Sequence, residues 1–261
     1  MSAPTRAAVA SSYTLIKGAM ISETYGVLAA WDFGRSKLEN LKRLREENFI
    51  GAGSAAWLDQ VADVLSRRLD PEGRDRALVG LAQRGCDLET WKPMLLWHIT
   101  RDEFLLRDFL THWLFPAYET GTVRIRTVDL VDYVRGIARR GARMEHEWTL
   151  GTAKRVAAGL LRISVDFGLL RGVAAKEFAG YHLPERSFLY LLHAMYEAAK
   201  NPRKVIESED WRMFLMRPSD VERELLRLHQ YRKLEYEVAG SLAQLRLPCA
   251  TALEYAESVG P

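Results

Sequence analysis

Apolar positions spaced three and four residues apart run through most of this chain, and stretches of strict alternation are few, which is the pattern of helices. The longest stripe lies between Thr149 and Phe167. Ala153, Val156, Leu160, Ile163 and Phe167 fall on one side of a wheel drawn at ~100° per residue, with Ala157 and Leu161 at its flank. Gly151, Arg155, Ala158, Gly159 and Arg162 fall opposite, and Thr152 and Lys154 mark the borders. Gly168-Leu169-Leu170 closes the helix. Arg171-Gly172, the run Val173 to Phe178, Gly180, Tyr181-His182-Leu183 and Pro184 then read as a short glycine-turned hairpin. A helix followed by a small hairpin is the order of parts in a winged helix-turn-helix, a DNA-reading module.

Upstream, Ser22 with Glu23 opens a short helix to Asp32, and Ser36 to Asn48 carries Leu38, Leu41 and Leu44. Gly51 to Gly53 interrupts, and Ser54 caps Ala55 to Leu69 with Leu58, Val61, Ala62 and Leu65 inward. Pro71 begins a helix through Gln83 that Gly85 ends. Leu88 to Tyr118 is the most apolar stretch, with Trp91, Trp97, Phe104, Phe109, Trp113 and Phe115 as core and joints expected at Pro93 and Pro116. Thr127 caps Val128 to Arg140, and Gly141 ends it. Beyond Pro184 the pattern predicts helices over Glu185 to Lys200, broken by Asn201-Pro202, and over Asp220 to His229, opened by Pro218-Ser219; Trp211 to Met216 is a short apolar piece. Leu234, Tyr236 and Val238 alternate with Glu235 and Glu237, turn at Gly240-Ser241 and return through Leu245 and Leu247 as a second hairpin. A last helix runs from about Cys249 to Ser258. The expected fold is therefore mainly α with small β-hairpins. It divides into an N-terminal arm (1–21), a helical bundle (22–122), a central winged helix-turn-helix (123–184) and a C-terminal helix and hairpin region (185–261).

Charge sharpens this division. The chain carries a net charge of only +3, yet residues 124–176 hold 11 Lys/Arg against 5 Asp/Glu. Nucleic acid is the partner such an asymmetry suggests, and duplex DNA the form a winged helix reads. Two cysteines far apart, Cys86 and Cys249, show no pairing pattern, which suits a reduced cytoplasmic compartment. No apolar run approaches the ~18 residues of a membrane span. The first twelve residues, with Arg6 their one charged side chain, lack an apolar leader core and read as a loose arm.

The candidate DNA contacts follow from the wheel. Small residues between Arg155 and Arg162 would let the helix backbone come close while guanidinium forks reach guanine edges or phosphates; Thr149, Thr152 and Lys154 complete that face. Arg139, Arg140 and Arg143, with Arg135, exceed what complementing one helix end requires, and Lys176 sits in the hairpin. A solvated basic face is the alternative to this contact surface. Catalytic signatures fail. His146-Glu147 begins a zinc-protease motif, but Leu150 stands where the second histidine belongs. Gly51-Ala52-Gly53 has no strand before it and no Lys-Ser/Thr after it. Glu207, Glu209 and Asp210 read as an acidic surface turn. No cofactor, no metal site and no enzyme activity are expected.

The order and spacing of several of these segments resemble the BrxA-type proteins, accessory components of BREX bacteriophage-exclusion systems. The likeness runs from Tyr13 to about Ser258. It rests on Gly18-Ala19-Met20-Ile21-Ser22-Glu23, Glu47-Asn48, Arg67-Arg68-Leu69, Trp148-x-x-x-Thr152-x-Lys154-Arg155-Val156 through Gly168-Leu169-Leu170, Asp210 to Leu215, and Leu234 to Ser241. The resemblance implies a cytoplasmic, non-enzymatic DNA-binding factor of phage defence, encoded beside an adenine methyltransferase and large ATPases that are candidate partners. Two other readings stand beside it: an adaptor that docks the methyltransferase or an ATPase, and an RNA-binding, antitermination-like factor acting through the N-terminal bundle.

Overall fold

Capping side chains set several helix starts. The computed structural model describes residues 9–144, 146–239 and 242–259. Ser36 opens α3 (Lys37–Glu47): its hydroxyl accepts the Glu39 N–H while Glu39 accepts the Ser36 N–H at 2.8 Å. Ser54 caps α4 (Ala55–Arg68), Asp87 caps α6 (Leu88–Ile99) and Asn201 caps α12 (Pro202–Ile206). Helix α2 (Ile21–Ala29) departs from expectation. Met20, in the left-handed region at φ 52°, precedes it, and Ser22 lies inside its first turn. Residues 71–75 form turns, so α5 (Arg76–Gln83) starts later than Pro71 suggests.

Proline behaves differently at its two expected joints. Pro93 sits inside α6 without ending it. That helix is buried from Thr90 to Ile99 apart from Lys92, and packing on nearly every side outweighs the ~3 kcal/mol that an interior proline costs. The chain breaks instead at residues 100–103. From there α7 (Phe104–Phe109) continues through a π-helical turn (Leu110–Leu114) into α8 (Phe115–Glu119). Pro116 has no N–H for the His112 carbonyl, and the helix widens in the turn before it.

The remaining elements are α9 (Thr127–Arg135), a 3-10 turn (Ile137–Arg140), α10 (Leu150–Asp166), β1 (Leu170–Arg171), β2 (Glu177–Phe178), α11 (Glu185–Ala199), a 3-10 turn (Glu209–Phe214), α13 (Pro218–Gln230), β3 (Glu235–Ala239), β4 (Leu242–Arg246) and α14 (Ala252–Ser258). Among the described residues the strands form two antiparallel pairs, with Leu170 opposite Phe178 in the first and Tyr236 opposite Leu245 in the second. The first turns between Arg171 and Glu177, and residues 181–183, expected within it, form no strand. The expected turn at Gly240-Ser241 lies outside the described residues. The mainly helical fold with small hairpins is thus what the chain adopts. No helix among the described residues is long and apolar enough to cross a membrane.

Most of the first twelve residues, read as a loose arm, lie outside the described residues; the segment 9–21 is packed on the rest of the fold. Ala10 donates its N–H to the Arg143 carbonyl, and α1 (Tyr13–Lys17) packs on α10. Its far side is tied down by Arg68, 3% exposed, which pairs with buried Glu103 at 3.1 Å and donates to the carbonyls of Thr14, Gly18 and Ala19. A buried charge survives only when so fully partnered. A second knot joins α5, α6 and α11: His98 lies 2.5 Å from Asp75 through Nδ1 and 2.7 Å from the Tyr190 hydroxyl through Nε2, all three fully buried. Burial holds the His98 pKa below its ordinary value, so the neutral ring donates to Asp75 and accepts from Tyr190. Asp210 corrects the reading of an acidic surface turn. It is buried, accepts the Trp97 indole N–H at 2.8 Å and pairs with Arg107 at 2.9 Å, joining the second 3-10 turn to α6 and α7.

Candidate nucleic-acid interface

Helix α10 is built as its periodicity predicts. Ala153, Val156, Ala157, Leu160, Leu161 and Ile163 are buried, and Thr149 caps the helix, its hydroxyl accepting the Thr152 N–H at 3.2 Å. On the inner side α10 packs against α9; at its C-terminal end the chain turns into the β1–β2 hairpin. Ile125, just before α9, exchanges both backbone hydrogen bonds with Lys176, so a third extended segment borders the hairpin. In chain order the arrangement is extended segment, helix, helix, strand, strand. The tip of the hairpin is bare: Val173 is 92% exposed. Helix α9 is shorter than expected, since the chain tightens into the 3-10 turn after Gly136 and ends at Gly141, left-handed at φ 89°.

The face opposite the buried stripe is divided. Gly151, Lys154, Arg155 and Ala158 are exposed. Gly159, placed by the wheel on the open face, is instead buried beneath α1; a Cβ there would lie 2.4 Å from the Leu15 carbonyl oxygen. The close backbone approach that small residues permit is therefore already taken by α1. Arg162 lies beyond that crossing, beside Gly18 and near Asp166, whose carboxyl burial pushes up and Arg162 pulls down. Arg155 and Arg162 are thus parted by α1.

The other candidate side chains also separate. Arg139 and Arg143 are exposed, and among the described residues neither has a carboxylate at ion-pair distance; the same holds for Lys154 and Arg155. Arg140, in contrast, turns inward. Its guanidinium pairs with Asp108 at 2.9 Å, donates to the Tyr133 carbonyl and stacks 3.6 Å from the Tyr133 ring centroid. Lys176 folds back to donate to the carbonyls of its own hairpin, Gly172 at 2.9 Å and Val173. Thr149 spends its hydroxyl on the cap, and Thr152 lies 3.1 Å from it. Arg135, read from sequence together with Arg139, Arg140 and Arg143, is also exposed, one turn before Arg139 across Gly136, and so is Arg124, next to the Ile125 bridge, which no motif singled out. Their signal was present in the charge count of 124–176 but not in the periodicity of α10.

These surfaces belong to one contiguous stretch of recognisable sequence. A model of the BrxA family matches residues 12–195. The chain belongs to the BrxA family. It is accordingly a BREX-associated protein of phage defence. The match takes in α1, the whole basic segment and the first hairpin, and stops within α11. No curated protein and no solved structure matches the chain.

Among the described residues no three His, Cys, Asp or Glu side chains group as metal ligands. Cys86 is buried, where desolvation first and Asp87 second raise its thiol pKa to about 11, and Cys249 is half-buried.

Proposed function

We propose that this BrxA-family protein is a non-catalytic, cytoplasmic duplex-DNA-binding component of a BREX system, and that the segment 123–184 acts as a winged helix. The carrying observation is the set of exposed cations around the start of α10 that have no carboxylate at ion-pair distance among the described residues: Arg139, Arg143, Lys154 and Arg155, with Arg135 and Arg124 beside them. A cation without a carboxylate partner keeps its full charge for a phosphate, and the N-terminal end of α10 adds the positive end of a helix dipole. The order extended segment, α9, α10, β1, β2 supports the winged-helix reading. Because α1 covers the middle of α10, the contact is with phosphates more than with base edges, and binding is largely independent of sequence.

Titration of duplex DNA at several salt concentrations tests this. Affinity should fall with a slope near ~0.9 in log K against log salt per neutralised phosphate. Salt-insensitive affinity, or no binding at low salt, would sink the proposal. RNA should compete poorly through the N-terminal bundle, since Trp91, Trp97, Phe109 and Phe115 are buried and offer no stacking platform there. A second reading, docking of another BREX component, draws on bare Val123, Val128 and Val173 around the same hairpin. Val173→Ser separates the two: it should leave DNA titrations unchanged and weaken only protein capture.

A further inference from the structure

Between α9, the first 3-10 turn and the lead-in to α10 lies a cavity of ≈ 440 Å³ lined by Asp132, Arg135, Gly136, Ala138, Arg139, Met144, Glu147 and Trp148. Its chemistry has three parts. Arg135 and Arg139, one helical turn apart, have no carboxylate at ion-pair distance among the described residues, although Asp132 and Glu147 line the same cavity. Trp148, half-buried, and Met144 supply an apolar wall. Among the described residues neither carboxylate accepts a side-chain hydrogen bond. Two unpaired guanidinium groups suit a phosphate, an indole suits the π-face of a base, and carboxylates suit base amino groups or sugar hydroxyls. The volume is within the range of small-ligand sites and far exceeds a bare phosphate.

We propose that this cavity binds a nucleoside monophosphate unit, with Arg135 and Arg139 on the phosphate and Trp148 against the base. The unit has two possible sources with the same chemistry, a free nucleotide or an unpaired nucleotide of a DNA strand. The proposal deepens the reading of this face as a nucleic-acid surface and rests on it only for the DNA-borne source. A second cavity, lined by Lys17, Lys92 and Arg162, makes a weaker site because Lys17 is bound to Gln60, Lys92 to Glu89, and Arg162 lies near Asp166.

The test titrates the full chain by calorimetry with AMP, GMP, CMP and inorganic phosphate, and separately with a paired duplex and the same duplex carrying one unpaired nucleotide. A mononucleotide should bind saturably with Kd of ~0.01–1 mM. Phosphate should bind at least about tenfold more weakly, and Trp148→Leu should cost about tenfold, the worth of one stacked base, with Trp148→Phe restoring most of it. Arg135→Gln combined with Arg139→Gln should weaken binding by about tenfold or more, and both are exposed, so these variants carry the test if Trp148→Leu fails to fold. Preference for the unpaired duplex, lost in the same variants, assigns the DNA source; mononucleotide binding without that preference assigns the free source. The proposal is overturned if neither probe binds above its control, if phosphate binds as tightly as AMP, or if the variants change nothing. Saturable AMP binding together with no duplex binding at any salt would sink the DNA reading alone.

Discussion

The chain contains two units with the same order of parts, α10 followed by β1–β2 and α13 followed by β3–β4, and they differ in how many of their cations are paired. In the second, Arg217 pairs with Glu119 at 2.9 Å, Arg223 with Asp220 at 2.7 Å, Arg227 with both Glu224 and Glu185, Lys233 with Glu185 and Arg246 with Glu235 at 2.8 Å. In the first, Arg171 pairs with Glu177, Arg126 with Asp129 and Arg140 with Asp108, but Arg135, Arg139, Arg143, Lys154 and Arg155 have no such partner among the described residues. The outer faces differ too. Helix α10 carries α1 across its middle at Gly159, whereas α13 leaves Glu222, Arg223 and Leu226 exposed. The presence of a helix and hairpin does not distinguish the units. Whether each cation is already neutralised does, because a paired cation must give up its partner before it can bind phosphate.

The largest effects test packing, where the two units should agree. Val156→Asp and Leu225→Asp each bury a charge at a fully enclosed position and should lower stability by roughly 3–5 kcal/mol, enough to unfold much of the protein at moderate temperature. Arg155→Ala, one residue from Val156 on the open face, should stay within about 0.5 kcal/mol. Equal falls in melting temperature for Val156→Asp and Arg155→Ala would show that the faces of α10 are wrongly assigned.

Gly159→Ala probes the cover on α10. Its Cβ would collide with the Leu15 carbonyl, so α1 must shift, at an expected cost of about 1–3 kcal/mol. Leu226→Ala, on the uncovered face of α13, should be nearly silent in the same thermal melt. A silent Gly159→Ala would remove α1 from the outer face of α10.

Smaller effects bear on charge. Arg139→Ala and Arg155→Ala should each lower the salt slope of duplex binding by about 1 without changing the fold. Arg223→Ala and Arg246→Ala should leave that slope unaltered and cost at most ~1 kcal/mol of stability, the scale of a surface ion pair. If all four variants shift DNA affinity alike, the contrast between the units fails. The smallest effect is one of pH. Burial raises the Glu185 pKa, but hydrogen bonding from Arg227 and the nearby Lys233 outweigh it and leave it below the ordinary value. A carboxylate so depressed contributes stability that is present above the unfolded pKa of ~4.3 and lost as pH falls through the folded one. The melting-temperature gap between the native chain and Glu185→Gln should therefore narrow below about pH 4. A gap that stays constant from neutral to acid pH would mean that this pair adds nothing to the second unit.

Local signals were legible wherever a residue acts on its own neighbours. Ser54 caps the helix it was expected to cap, and the inward residues of α4 and α10 follow their periodicity, whereas Thr127, expected as a cap, is the first residue inside α9. The failures came where a distant segment intervened. Ser22 lost the cap position because Met20 takes a left-handed turn in a loop whose Gly18 and Ala19 carbonyls Arg68 holds, and Pro93 did not break α6 because other helices enclose it. Of the candidate contacts, Arg139, Arg143, Lys154 and Arg155 are open, Arg140 and Lys176 are occupied by protein partners, and Arg162 lies past α1.

The sequence by itself determined a mainly helical chain, the places of its two hairpins and the concentration of positive charge between Arg124 and Lys176, since helix periodicity, caps and charge are properties of short windows. Only the tertiary structure decided which of those charges are available. Arg139 and Arg140 are neighbours in the chain, yet one faces water and the other neutralises Asp108, more than thirty residues earlier. A helical wheel shows which side of a helix a residue takes, and the docking of α1 and α7 from elsewhere in the chain decides what covers that side.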